Sequence, residues 1–451
     1  FWFSAVEGEV YALSSFFTAI TFWCILKWEE VADSPHSSKW LVLIAYLIGL
    51  SIGVHLLSLL TIPAMGMIYY FKNNKYSHKG ALKAFAISSV ILVVIQGILI
   101  PKTASLMGWF DKLFVNNFGL PFTSGVIFFV LLLIGLIIYG IKYTLENNKS
   151  TWNTALLGIL VLLIGYSSYT TVIIRSAANT PINIAAPDDA LKLSSYLQRD
   201  QYGDWPIVSG ANYNKQWHGD PNPQLGYGVK HTNIEEKEVY EKDTKKGEYV
   251  LVNVVKTPIY EGTFFPRMWM SSKLSGYNRW RGINPQNFEG KRFKGQGRNR
   301  VRTKEYQEWV NSVEEDITFT ENLRFFFDYQ IGHSYLRYFM WNFAGRQNDI
   351  MNMDDNSVYG NWESGIGYSD EGMPSHLKDN KAKNHYYFLP LILGLIGIYF
   401  HFKSAKTDAI SVLLFFLFTG LFIIVYLNVP PDQPRERDYA YVGSFYAFAI
   451  W

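Results

Sequence analysis

The chain has 451 residues, 49% of them hydrophobic, a net charge of +3 and one cysteine. So small a charge argues against a nucleic-acid partner, and the lone Cys24 excludes an internal disulfide and a cysteine-based zinc site. Aromatics reach 17%, and many Trp and Tyr (Trp28, Trp40, Tyr69, Tyr70, Trp109, Tyr143, Trp152) fall at the ends of apolar tracts, as they do at membrane headgroups.

Those tracts are the main signal. Phe1 opens without Met, and Trp451 stops inside an apolar stretch, so both ends read as cut edges of a longer protein. Glu7 and Glu9, in SAVEGEVYAL, stand just before a tract covering Val10–Trp28. Two readings stand for them. Acidic residues favour a helix N-terminus through its dipole, or one of the pair points into a site. Further tracts cover Trp40–Phe71, Phe85–Ile100, Thr123–Ile141 and Ala155–Ile174, then His385–Phe402 and Ile410–Leu427. A helix rises about 1.5 Å per residue against a hydrocarbon core of about 30 Å, so most of these are spanning helices. Trp40–Phe71 is too long for one upright span and is punctuated by Gly53 and Pro63, which predicts two short spans with a reversal near His55.

With that split, the lysines of the short loops (Lys72, Lys75, Lys79 and Lys83; Lys142 and Lys149; Lys403 and Lys406) share one side, the cytoplasmic side by the positive-inside rule. Glu7, Glu9, the stretch Pro101–Phe122 and everything from Arg175 to Asn384 then lie outside. The chain divides into residues 1–174, the first part of a membrane core; 175–384, an inserted extracytoplasmic domain; and 385–451, the second part of the core. The fold class is mainly α, polytopic membrane helices with an inserted α/β domain.

Within the block, Pro187-Asp188-Asp189 opens a helical pattern with Leu191, Leu193, Tyr196 and Leu197. Trp205–Gly210 and Tyr249–Val255 read as strands. The acid-rich Glu235–Glu248 and the basic Lys291–Lys304 read as solvated loops, and GQGR in the latter lacks the setting of a phosphate loop. ENLRFFFDYQIGHSYLRYFMWNFAG suits a helix lying in the interface; a buried soluble helix is the competing reading.

The late turn VPPDQPRERDYAY carries Arg435 and Arg437 where the positive-inside rule disfavours them. One reading is a salt-bridge loop among Asp432, Arg435, Glu436, Arg437 and Asp438. The other is a site for an anionic group, since arginine recognises phosphate in a bidentate manner. No zinc-protease, Walker or Cys/His motif occurs.

SAVEGEVYALSSFF followed by WLVLIAYLIGLSIGVHLLSLLTIPA resembles the GT-C-type membrane glycosyltransferases, in particular the family related to protein O-mannosyltransferases and long labelled a domain of unknown function. YLQRDQYGDWPI, WNFAGRQNDI and QPRERDYAYVGSFYAFAIW carry the resemblance along the chain. It implies a GT-C-like core and inverting transfer of a sugar from a polyprenyl-phosphate donor to an acceptor, a secreted protein's Ser/Thr or a glycan. The setting implied is the bacterial cytoplasmic membrane, with the large domain periplasmic. It assigns Glu7 and Glu9 as supporting catalytic residues, with the principal acidic residue upstream of Phe1. GLSIGVH gives His55, and the late turn gives Arg435, Arg437 and Tyr439, as substrate-binding residues. It fixes no cofactor and leaves room for a divalent cation. Two other classes remain: a transporter or flippase of a lipid-linked substrate, which would need membrane-embedded polar groups where only His55 and Gln96 stand out, and a non-enzymatic subunit of a membrane assembly.

Overall fold

A computed structural model describes residues 10–198, 200, 208–213, 233–259, 262–282, 288, 290, 293–294, 301–306, 308, 317–352 and 358–451. Glu7 and Glu9 lie outside the described residues, as do Trp205–Ile207 and the GQGR stretch.

Five described helices are long and apolar enough to cross a membrane: α1 (Val10–Val31), then, after the short apolar α2 (Ser38–Ile52) and the short α3 (Ile62–Asn73), α4 (His78–Phe118), α5 (Ser124–Glu146) and α6 (Ser150–Ala177), and later α11 (Lys406–Leu427). In α1 the polar residues do not interrupt the apolar character. The Thr18 hydroxyl donates to the Ser14 carbonyl at 3.0 Å and that of Thr21 to Phe17 at 2.7 Å, which satisfies them within the helix.

The chain reverses near His55, as the punctuation of Trp40–Phe71 predicts. Three contacts fix the directions. The Tyr11 ring lies 5.0 Å from that of His55, whereas Trp28 stacks on Tyr69 and Lys72 pairs with Asp33 at 3.0 Å. Helix α3 therefore runs parallel to α1, and α2 runs back between them. Gly49 of α2 and Gly165 of α6 let two backbones touch: a Cβ on Gly49 would meet the Leu162 carbonyl, and one on Gly165 would lie 2.7 Å from that of Tyr46. In lipid, such small-residue contacts are where helices gain packing.

Helix α4 departs from expectation. The sequence predicts an outer loop from Pro101; instead the helix continues through the proline to Phe118. A π turn at Ile95–Leu99 precedes it, and a wide turn there accommodates a residue with no N–H to donate. At about 60 Å this helix is twice the hydrocarbon thickness, so it projects well beyond the bilayer.

That projection carries the inserted block. Buried Asp111 accepts from the amides of Thr123 and Gly125, both at 3.1 Å, and from the Tyr249 hydroxyl at 2.8 Å. Asn116 pairs with both backbone groups of Tyr249. The block opens with α7 (Ala190–Gln198), as the Pro187-Asp-Asp signal predicts; Asp189 accepts from the Lys192 amide at 2.8 Å. Its strands are β1 (Ser209–Gly210), β2 (Asn233–Asp243), β3 (Glu248–Ile259) and β4 (Thr263–Phe264), paired antiparallel as β1–β4 and β2–β3. The acid-rich stretch is thus a strand rather than a loop. Its partner Tyr249–Val255 is β-branched and supplies the pairing, with a bulge at Val239/Tyr240. Helix α8 (Leu274–Trp280) follows, then the pair β5 (Phe293–Lys294) and β6 (Val301–Arg302) in the basic run.

Helix α9 (residues 319–343) begins with a Thr318–Glu321 capping box and is a π helix from Phe326 to Leu336. It is packed on several sides, with Tyr335, Phe339 and Phe343 against Ile423, Ile424, Phe445 and Phe448. Strands β7 (Gly345–Arg346) and β8 (Asn384–His385) lead into the short apolar α10 (Leu389–Ser404), then α11 and α12 (Val442–Ile450). The core of the membrane part joins α1, α2, α3 and α11, with Phe22 stacked on Phe415 at 4.3 Å.

Candidate functional site: the arginine turn between helices α11 and α12

The connection from Asn428 to Tyr441 is where the sequence offers either a salt-bridge loop or an anion site, and there a cavity opens between this turn and helix α9. It is small, about 30 Å³, and open to solvent. Tyr329, His333 and Arg337 form one wall, and Asp432, Arg435, Glu436 and Arg437 the other. The π geometry of α9 matters here. Residues four apart stay nearly in line on the wider turn, so Tyr329 and His333 stack at 5.5 Å and Arg337 Nε donates to the His333 carbonyl at 2.8 Å.

The charges of the turn are not paired mainly among themselves. Glu436 takes a bidentate pair from Arg337, at 2.6 and 3.1 Å, and further hydrogen bonds from the Tyr338 hydroxyl at 2.5 Å and the Asn352 amide at 3.0 Å. Burial opposes ionisation of Glu436, but these donors outweigh it and hold its carboxyl below the ordinary carboxylate range. Asp432 likewise turns outward, pairing with Arg279 of the block at 3.3 Å. A self-contained salt-bridge loop is therefore not what folds.

Arg435 and Arg437 face the cavity differently. Exposed Arg435 lies 5.1 Å over the Tyr439 ring, a cation–π contact that orients the guanidinium. Arg437 is half-buried. Its backbone amide donates to the Tyr338 hydroxyl at 3.1 Å, while its buried Nε has no hydrogen-bond partner among the described residues. A buried donor in that condition costs on the order of 1–3 kcal/mol unless something fills the position.

Behind Arg435 the site joins the other end of the chain. Tyr439 is buried and stacks on Tyr11 at 4.0 Å, and Tyr11 in turn meets His55. Folding therefore brings together three of the four described site residues read from the sequence, Arg435, Tyr439 and His55, through an aromatic link. Arg437 sits on the cavity side of the same turn. His55 does not line the cavity and is also structural: its Nδ1 accepts from the Leu57 amide at 3.3 Å and caps the short 3-10 helix Leu56–Thr61.

Residues 1–78 match the family model described as the protein O-mannosyl-transferase TMEM260 N-terminal domain. The N-terminal part of the chain is thus O-mannosyltransferase-like. Residues 203–327 match a family of unknown function, DUF8416. No curated protein and no solved structure matches the chain. The O-mannosyltransferase-like segment contains Tyr11 and His55, and the DUF8416 segment contains Arg279. Both reach the arginine turn.

The sequence reading missed Tyr11, Arg337, Tyr338 and His333. A charged residue among the aromatics of YLRYFMW was a signal for Arg337. Nothing local in the sequence announces that Glu436, rather than its arginine neighbours, is its partner. Among the described residues no group of three or more His, Cys, Asp or Glu could hold a metal ion.

Proposed function

We propose that the protein is a membrane glycosyltransferase of the inverting GT-C type. It moves a sugar from a polyprenyl-phosphate donor to an acceptor hydroxyl, a Ser or Thr of a secreted protein, on the outer face of a bacterial cytoplasmic membrane. The observation that carries this is the meeting of Tyr11 and His55, inside the O-mannosyltransferase-like segment, with Tyr439 and Arg435 of the late turn. In such a transfer the acceptor oxygen forms a bond to the anomeric carbon as the bond to the donor phosphate breaks. The electron pair leaves with the phosphate, and the hydroxyl proton passes to a carboxylate. Arginine guanidiniums at the departing phosphate stabilise the charge that develops there; Arg437, whose buried Nε has no partner among the described residues, is suited to that role. Glu7 and Glu9 are the supporting carboxylates of this reading. The division into residues 1–174, 175–384 and 385–451, with the middle part periplasmic, belongs to the same proposal.

Sidedness supports it. Tyr11, His55, the late turn and the block share one end of the helices, and Lys72, Lys149 and Lys406 lie towards the other, where Lys406 reaches Tyr76. Two assays test the reading. The intact protein should transfer label from a polyprenyl-phosphate sugar to a peptide acceptor; no transfer from any such donor, with folded protein present, would refute it. With Cys24 replaced, Lys246→Cys should be labelled by an impermeant reagent from outside and Lys75→Cys should not. The reverse pattern would overturn the orientation.

A further inference from the structure

The turn that carries the arginines holds an unusual backbone. Asn428 and Asp432 both adopt positive φ, 40° and 53°, a region that side chains other than glycine enter at a cost. Such conformations persist only where surroundings over-determine them, and here the surroundings belong largely to the inserted block. Trp269 Nε1 donates to the Asn428 carbonyl at 2.8 Å, and Lys273 Nζ donates to that of Asp432 at 2.5 Å. Arg279 pairs with the Asp432 carboxylate. Gly276 presses against the same bend: a Cβ there would lie 2.5 Å from Asp432 Oδ2 and 2.7 Å from Pro431 Cγ. From α9, Gln330 Nε2 donates to the Asn428 side chain and the Val429 carbonyl, both at 2.9 Å, and the Tyr329 hydroxyl to that of Pro430 at 3.1 Å. Every residue from Asn428 to Asp432 is thus gripped from outside, just before Arg435 and Arg437.

We propose that residues 269–279 of the block form a clamp that sets the arginine turn in the conformation that receives the donor phosphate, with Lys273 and Gly276 as its positioning residues. The proposal rests on the phosphate reading of that turn. It also gives the DUF8416-like segment a role, shaping the membrane-level site from the aqueous side. Positioning of this kind acts on affinity for the lipid phosphate, because the clamp residues touch the backbone of the turn and not the cavity. Neither Lys273 nor Gly276 lines it.

The test compares Lys273→Met, Lys273→Arg and Gly276→Ala with the unaltered full-length protein in detergent. Two measurements are made, and thermal stability is followed alongside them. The first is hydrogen exchange of the peptide spanning residues 428–437. The second is the affinity for farnesyl phosphate as a sugar-free lipid phosphate. Removing the Lys273 charge-assisted bond should speed exchange of that peptide about tenfold, with exchange elsewhere unchanged. Affinity for farnesyl phosphate should fall by a similar factor, and Lys273→Arg should restore much of both. Gly276→Ala should act in the same direction without removing a charge, which separates displacement of the turn from loss of a cation. Unchanged exchange in both Lys273→Met and Gly276→Ala would overturn the clamp. Faster exchange with unchanged farnesyl phosphate affinity would leave the mechanical clamp standing and refute the phosphate reading beneath it.

Discussion

The two sides of one short turn use charge in opposite ways. Glu436 faces helix α9 and has every strong partner it needs: Arg337, Tyr338 and the Asn352 amide. Arg437, next in the chain, keeps a buried Nε with no partner among the described residues, and Arg435 is oriented by an aromatic face. The first arrangement fixes structure, since a buried pair with complete hydrogen bonding resists change. The second leaves capacity for an anion. Neighbouring charged residues thus differ in how fully they are partnered, and the difference follows from position rather than residue type.

Breaking the scaffold side should give the largest effect. Glu436→Gln leaves Arg337 buried beside a neutral group, a change worth about 3–5 kcal/mol in stability. It should appear as a marked fall in the thermal midpoint in detergent. Arg337→Met with Glu436→Leu should cost less than Glu436→Gln alone, because neither charge is then stranded; a double variant as unstable as the sum of the two singles would contradict the pairing. Acid should act on the same bond. The folded carboxyl titrates below its unfolded value, so its contribution is fully present above about pH 4.3 and is lost as pH falls through the lower folded value. A thermal midpoint that falls over that acidic window in the unaltered protein, and less so in the apolar double variant, checks this.

On the site side the effect should move from stability to turnover. Arg437→Ala removes charge-assisted bonds worth on the order of 1.5–3 kcal/mol, so donor use should drop roughly ten- to a hundredfold with the thermal midpoint little changed. Arg437→Lys keeps the charge but not the planar fork and should recover part of the loss. The aromatic link sharpens the comparison least. Tyr11→Leu removes a stacked ring pair worth about 0.5–1.5 kcal/mol. It should lower stability modestly and weaken donor use through Arg435, the guanidinium that Tyr439 orients. No change in either would show that the link is only packing.

The membrane half of this architecture was legible because hydrocarbon imposes a simple rule: apolar tracts of spanning length, with lysines gathered at one end. The reversal at His55 followed from Gly53 and Pro63. Pro101 misled because the π turn before it is a tertiary accommodation that no local pattern announces. The acid-rich strand β2 was hidden for a related reason. Its alternation is of charge, and only pairing with the β-branched β3 makes a strand of it. At the candidate site, Arg435, Arg437, Tyr439 and His55 were proposed from the family resemblance and, for the arginines, from sidedness; what the fold adds is the aromatic link that joins Arg435, Tyr439 and His55. The Arg337–Glu436 pair spans 99 residues, and the reach of the clamp from Lys273 to Asp432 is longer still. Such contacts are settled by packing between distant elements.

The central claim is that Arg435 and Arg437 of the turn hold the donor phosphate. It is tested most directly by sugar transfer from a polyprenyl-phosphate donor, measured on the intact protein and on the Arg435→Ala/Arg437→Ala double variant, with thermal stability recorded in parallel. The account predicts transfer reduced by at least about tenfold at a nearly unchanged thermal midpoint. Unchanged transfer by the double variant, or a loss of transfer that merely follows a loss of folded protein, would contradict it.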